Sequence, residues 1–85
     1  MSNFNTAREA NLFLNSLNVD SIRNKVYVNP IENKKFLVND LKIKYYQNKF
    51  YVVVLLLKLD IIENENKHLE IDYDLFSQAL IRLKI

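Results

Sequence analysis

The chain has 85 residues and a mass of 10.1 kDa; 49% of the residues are hydrophobic and 26% charged, with no Cys, Gly or Trp and one Pro. That length fits one domain over residues 1–85 and excludes an interdomain cleft, and the lack of Cys excludes a disulfide framework, a thiolate zinc site and a cysteine nucleophile. Twelve basic against ten acidic residues leave a net charge of +2, too small a bias for a nucleic-acid footprint or a polybasic membrane anchor.

Residues 1–9 show no basic stretch leading into an apolar one, so no signal peptide is expected. The longest apolar run, 50–57, falls far short of the ~20 residues a membrane-spanning helix needs and reads as a strand. A soluble, cytoplasmic chain is the expectation, with no membrane association. The abundance of Asn, Lys and Ile follows AT-rich codons and suggests an AT-rich genome, that of a Gram-positive host, a phage or a plasmid; together with the small size, a phage or mobile-element protein is expected.

Thr6 and Glu9 stand at capping-box spacing, where the Thr oxygen accepts the Glu9 amide and the Glu side chain reaches back to the Thr6 amide. Ala7, Ala10, Phe13, Leu14 and Leu17 then recur at helical spacing and predict an amphipathic helix of about three turns. The polar stretch 18–24 ends it. Residues 25–29 alternate and predict a short strand stopped by Pro30. Residues 37–46 and 50–62 are long strand-like runs, and 68–73 alternate again around Leu69, Ile71 and Tyr73. Asp74 is a candidate N-cap for a last helix carrying Leu75, Phe76, Ala79, Leu80 and Leu83, although 79–85 also alternates as a strand would. The predicted fold class is α+β: a four-stranded antiparallel meander with an N-terminal and a C-terminal helix, in the order αββββα.

Register decides which face of each strand is buried. Pairing Tyr46 with Phe50 across a loop of residues 47–49 sets Tyr45 opposite Tyr51, Ile43 opposite Val53 and Leu41 opposite Leu55, and it gathers the apolar odd positions on one face. A two-residue loop would instead place Lys42 and Lys44 beside Tyr51, Val53 and Leu55. The longer loop is therefore expected, with Asn48 or Lys49 in the left-handed conformation. Pairing Ile62 with His68 adds Leu69, Ile71 and Tyr73 to the same odd face and sets Lys58 opposite Asp72.

This register leaves the even face with Phe36, Val38, Phe50, Val52, Val54 and Leu56, interrupted by Lys42, Lys44 and Lys58. Leaving six such side chains in water would forgo on the order of 10 kcal/mol, so something should cover them. A crossing helix, a second copy of the chain, another protein or a nucleic acid would serve. Phe36, Tyr46 and Phe50 offer stacking surfaces and the three lysines a backbone path, as single-strand readers require. Against nucleic acid, Asp60, Glu70 and Asp72 share that face, and the glycines of an RNA-recognition signature are absent.

Support for catalysis is weak. His68 is the sole histidine and falls at a strand start. Asp60, Glu70 and Asp72 could gather a hard cation, but the Lys58 pairing accounts for one of them. Glu65-Asn66-Lys67 has the Glu-x-Lys spacing of metal-dependent nucleases but lies in a loop, and without Gly no phosphate-cradling loop is expected. The expectation is a small non-enzymatic interaction module without metal or cofactor, an inhibitor-like protein that modulates a host protein and acts as a homodimer. Its candidate contact residues are Phe36, Val38, Lys42, Lys44, Tyr46, Phe50, Val52, Val54, Leu56 and Lys58. The alternative is a nucleic-acid-binding or transcription-modulating module using the same face.

Overall fold

A computed structural model describes residues 3–59 and 68–83. Its elements are α1 (Ala7–Ser16), α2 (Val19–Ile22), β1 (Val26–Asn29), β2 (Lys34–Tyr46), β3 (Lys49–Lys58), β4 (His68–Asp72), α3 (Tyr73–Ala79) and β5 (Ile81–Arg82). The start of α1 is fixed as its sequence predicts: the Glu9 amide donates to Thr6 Oγ1 at 3.2 Å. The return bond differs, because it runs from the Thr6 hydroxyl, which donates to Glu9 Oε1 at 3.1 Å. The polar stretch after α1 contains the single turn of α2, in which the Ser21 hydroxyl donates to the Asn18 carbonyl at 2.7 Å.

The sheet is mixed with helices as α+β requires, and every neighbouring strand pair is antiparallel in the order β4-β3-β2-β1-β5. The fifth strand corrects the four-stranded layout. Helix α3 is capped two residues earlier than expected, by Asp72, whose carboxylate accepts the Asp74 amide at 3.2 Å. The helix ends at Leu80, whose backbone is extended at φ −114° and ψ 141°. Ile81 and Arg82 then pair with Val28 and Tyr27, and the Leu83 amide reaches the Val26 carbonyl at 2.9 Å. Alternation at Ile81 and Leu83 therefore reports a strand, and α3 carries the chain over the sheet from the β4 edge to the β5 edge.

The β2–β3 hairpin turns on two residues. Tyr46 pairs with Lys49, and Gln47 and Asn48 both take positive φ, 49° and 62°. Two consecutive left-handed residues match the right-handed twist of the flanking strands, which is why this turn type closes hairpins even in a chain without Gly. The expected three-residue loop is thus overturned. A bulge lies further along, between Val38 and Asp40, where the pairing with β3 shifts by one residue. One extra residue moves the inward positions of β2 from even (Phe36, Val38) to odd (Leu41, Ile43).

The consequence is a core on the even side of β3. Val38, Val54 and Leu56 are sealed at the centre with Tyr27, Phe36, Leu41, Phe76 and Leu80. Leu14 and Leu17 of the α1 segment, Val19 and Ile22 of α2, and Tyr73 of α3 pack against that cluster, so the helices all lie on one side of the sheet. A run of rings joins them: Phe4–Phe13 at 5.3 Å, Phe13–Tyr73 at 5.7 Å, Tyr73–Phe76 at 6.1 Å and Phe76–Tyr27 at 4.7 Å. Leu69 and Ile71 pair with Leu56 and Val54, so the inward side of β4 joins this face and the predicted Lys58–Asp72 opposition is replaced by Phe36–Lys58 and Val53–Asp72.

Candidate functional site

Half of the predicted contact surface is core. Phe36, Val38, Val52, Val54 and Leu56 are all buried. Phe50 is half-buried, its ring 4.8 Å from Tyr45 and its backbone bridged to Phe4. Lys58 stands on the same side, at the rim opposite Phe36. These assignments are corrected by the bulge and the shorter turn, which together reverse the face that the helices cover. Lys42, Lys44 and Tyr46 point the other way, into the open face. Phe36, Tyr46 and Phe50 therefore do not form one stacking platform.

The open face is built by the partners that the observed register sets side by side. Leu37 pairs with Val26 on one flank and Leu57 on the other. Asp40 pairs with Leu55, which pairs with Glu70; Lys42 pairs with Val53, which pairs with Asp72; Lys44 pairs with Tyr51. Val26, Val28, Leu37, Tyr51, Leu55 and Leu57 are only half-buried, and Tyr46, Leu59 and Ile81 are exposed. Strand β3 is apolar on both sides, and only one side has helices over it.

Charge on this face is arranged across β3. Lys42 Nζ and Lys44 Nζ, from β2, each lie 3.0 Å from a carboxylate oxygen of Glu70 on β4. Both pairs bridge over the intervening strand beside Val53, which is only 7% exposed although it faces away from the helices. The hydrogen bonds from Lys44 and then Lys42 hold the Glu70 carboxyl below the ordinary glutamate value of 4.5. Asp72, two residues further on, goes the other way: desolvation raises its pKa above the usual 3.8 against the opposing bond from the Asp74 amide. A shallow recess of about 360 Å³ lies beside it, lined by Lys44, Tyr46, Gln47, Tyr51 and Val53. At the bulge, Asp40 Oδ1 accepts the Leu41 amide at 2.8 Å and stands 3.6 Å from the Arg23 guanidinium.

Sequence reasoning missed Leu37, Val53, Leu55, Leu57 and Glu70 as surface partners. The available signal was the two-residue loop itself, which sets Lys42 and Lys44 beside Val53 and Tyr51, with Glu70 near enough to balance them. Asp60 and residues 63–67, including the Glu-x-Lys spacing, lie outside the described residues, as does Ile62. Among the described residues no group of three or more His, Cys, Asp or Glu side chains is placed to hold a metal ion, and no helix is long and apolar enough to cross a membrane.

Fold and site define a class: a two-layer α+β protein whose sheet is covered by helices on one face and presents the other. Comparison with protein-family models, curated proteins and solved structures finds no match to this chain.

Proposed function

We propose that the chain is a non-enzymatic protein-interaction module that docks its partner on the open face of the sheet. One observation carries the reading. The inner strand β3 presents Val53, Leu55 and Leu57 away from the helices, beside Leu37 and Val26 on the next strands. Leu55, Leu57, Leu37 and Val26 are half-buried, and the apolar surface each leaves in water gains roughly 25 cal/mol per Å² only when burial is completed, which a docked protein surface achieves. Nucleic acid is the weaker occupant, because Lys42 and Lys44 are already spent on Glu70 and the aromatic platform is split between two faces. The AT-rich residue usage keeps a phage or mobile-element role against a host protein as the biological setting of this proposal.

Two measurements test it. A labelled random-sequence single strand is expected not to bind; binding that falls steeply between about 50 mM and about 200 mM salt would replace the protein reading with a nucleic-acid one. The double variant Leu55→Lys/Leu57→Lys is expected to stay folded by circular dichroism. Collapse of its fold would mean that the face is internal, and the proposal would fall.

A further inference from the structure

Strand β2 is 13 residues long, and only its first part has a neighbour on both flanks. β1 pairs with residues 34–37. The last bonds on that flank run from the Val38 amide to the Lys25 carbonyl at 3.0 Å and from the Asn24 amide to the Val38 carbonyl at 2.8 Å. Past the bulge, among the described residues, positions 40–46 are paired on one flank alone, with residues 49–55 of β3.

The two-residue turn makes Tyr46 and Lys49 a hydrogen-bonded pair, so the backbone groups of Lys44 and Lys42 point toward β3. Those of Leu41, Ile43 and Tyr45 point away from it. Phe50, opposite Tyr45, has the same phase: its amide and carbonyl are both bonded to Phe4 on the far flank of β3, each at 2.8 Å. Asp40 Oδ1 takes the Leu41 amide. What remains directed off the sheet is the Leu41 carbonyl with both backbone groups of Ile43 and Tyr45. Proteins commonly blunt such an edge with a bulge or with lysines standing over it. Here the bulge lies before Asp40, and the ammonium groups of Lys42 and Lys44 reach across β3 to Glu70 on β4, away from the edge. Tyr45 and Tyr46 are 58% and 57% exposed, so the end of the strand stands clear.

We propose that the outer edge of β2 at residues 41–45 receives an extended segment of a partner protein, added in line with β1. This goes beyond docking on the open face, because the ladder is made by backbone groups and involves neither Leu55 nor Leu57. Donors and acceptors repeating every second residue match an extended chain, and a proline at a paired position of that chain would remove a donor. Ile43 and Tyr45 offer side chains on the helix side for apolar residues of the segment to pack on. A second copy of the chain fits poorly. Antiparallel self-pairing centred on Ile43 sets Lys42 of each copy directly opposite Lys44 of the other, and like charges so placed are destabilising. Charge complementarity therefore selects a segment with uncharged or acidic residues beside Lys42 and Lys44.

The test uses the native chain and a phage-displayed library of random octapeptides. In the free chain, amide exchange followed by NMR is expected to be fast at Ile43 and Tyr45 and at least about a hundredfold slower at Lys42 and Lys44. Selected peptides are expected to slow Ile43 and Tyr45. Methylating single backbone amides of such a peptide should weaken binding about tenfold or more at every second position and change little in between. Ile43→Pro removes an outward N–H and no bond to β3, so it should keep the fold by circular dichroism and lose the peptides. Slow exchange at Ile43 and Tyr45 in the free chain would show an edge already covered and overturn the inference. A library without binders, or a methylation scan without the two-residue period, would overturn it too. Peptides lost on Leu55→Lys/Leu57→Lys but indifferent to Ile43→Pro would overturn the edge while upholding the docking face.

Discussion

Leu55 and Leu56 are adjacent, chemically identical and on opposite faces of β3, so truncating each in turn measures the sidedness of the sheet. Leu56 is 2% exposed and sits among Val38, Val54, Phe36 and Phe76. Leu56→Ala removes three buried carbons, about 2.4 kcal/mol at ~0.8 kcal/mol each, and residual cavity terms bring the cost to ~3 kcal/mol. The cavity term stays small because Leu56 already borders a groove of about 240 Å³ between α3 and the sheet, into which its surroundings can relax. A domain of this size is stabilised by only ~4–13 kcal/mol, so a loss of ~3 kcal/mol lowers the melting temperature by roughly 12–24 °C. Leu55, half-exposed beside Asp40 and Glu70, is expected to cost ~1 kcal/mol on the same change. Urea unfolding reads both. Equal losses, or a larger loss at Leu55, would restore the opposite face as core and refute the register.

Asp72→Ala should destabilise the protein by ~1 kcal/mol through loss of the α3 cap, whereas Asp72→Asn keeps a capping oxygen and should be near neutral at pH 7, as thermal melts will show. Glu70 should titrate below 4.5 by carboxyl NMR and move up more on Lys44→Ala than on Lys42→Ala. Because its folded value is depressed, the stability it adds is present above pH 4.5 and is lost as pH falls through that lower value, and 1 M salt should weaken it. The raised value of Asp72 acts oppositely: its contribution is complete below pH 3.8 and is lost as pH rises through the folded value. Gln47→Gly should raise the urea midpoint, by about 0.5 kcal/mol in stability, since Gln47 holds φ at 49° where a Cβ is unfavourable.

Much of the fold was legible because its signals are local. The capping pair Thr6 and Glu9, the stop at Pro30 and the alternation of Leu69 and Ile71 each need only neighbouring residues, and the elements they mark lie where the sequence sets them. Sidedness was less legible because it is accumulated along the chain. Residues 50–57 are apolar at both odd and even positions, so β3 carries no phase of its own. Phase then depended on the turn and on an unbroken β2, and both assumptions failed. Gln47-Asn48 closes a tight turn without the Gly that announces one, and the bulge before Asp40 has no signature beyond the polar pair Asn39-Asp40, of which Asp40 stands near Arg23. The candidate site inherited the error. Lys42, Lys44 and Tyr46 lie after the bulge and face outward, whereas Phe36 and Val38 lie before it and face the helices. The end of the chain was misread for a related reason: Leu80 serves both as the last apolar contact of α3 and as the first extended residue toward β5.

The chain contains no Cys, so a single introduced thiol reports without background. Leu55→Cys and Leu56→Cys, treated with a thiol-reactive dye under native conditions, test the open face most directly. The expected result is rapid labelling at position 55 and protection at position 56. Fast labelling at position 56 with protection at 55 would contradict the account.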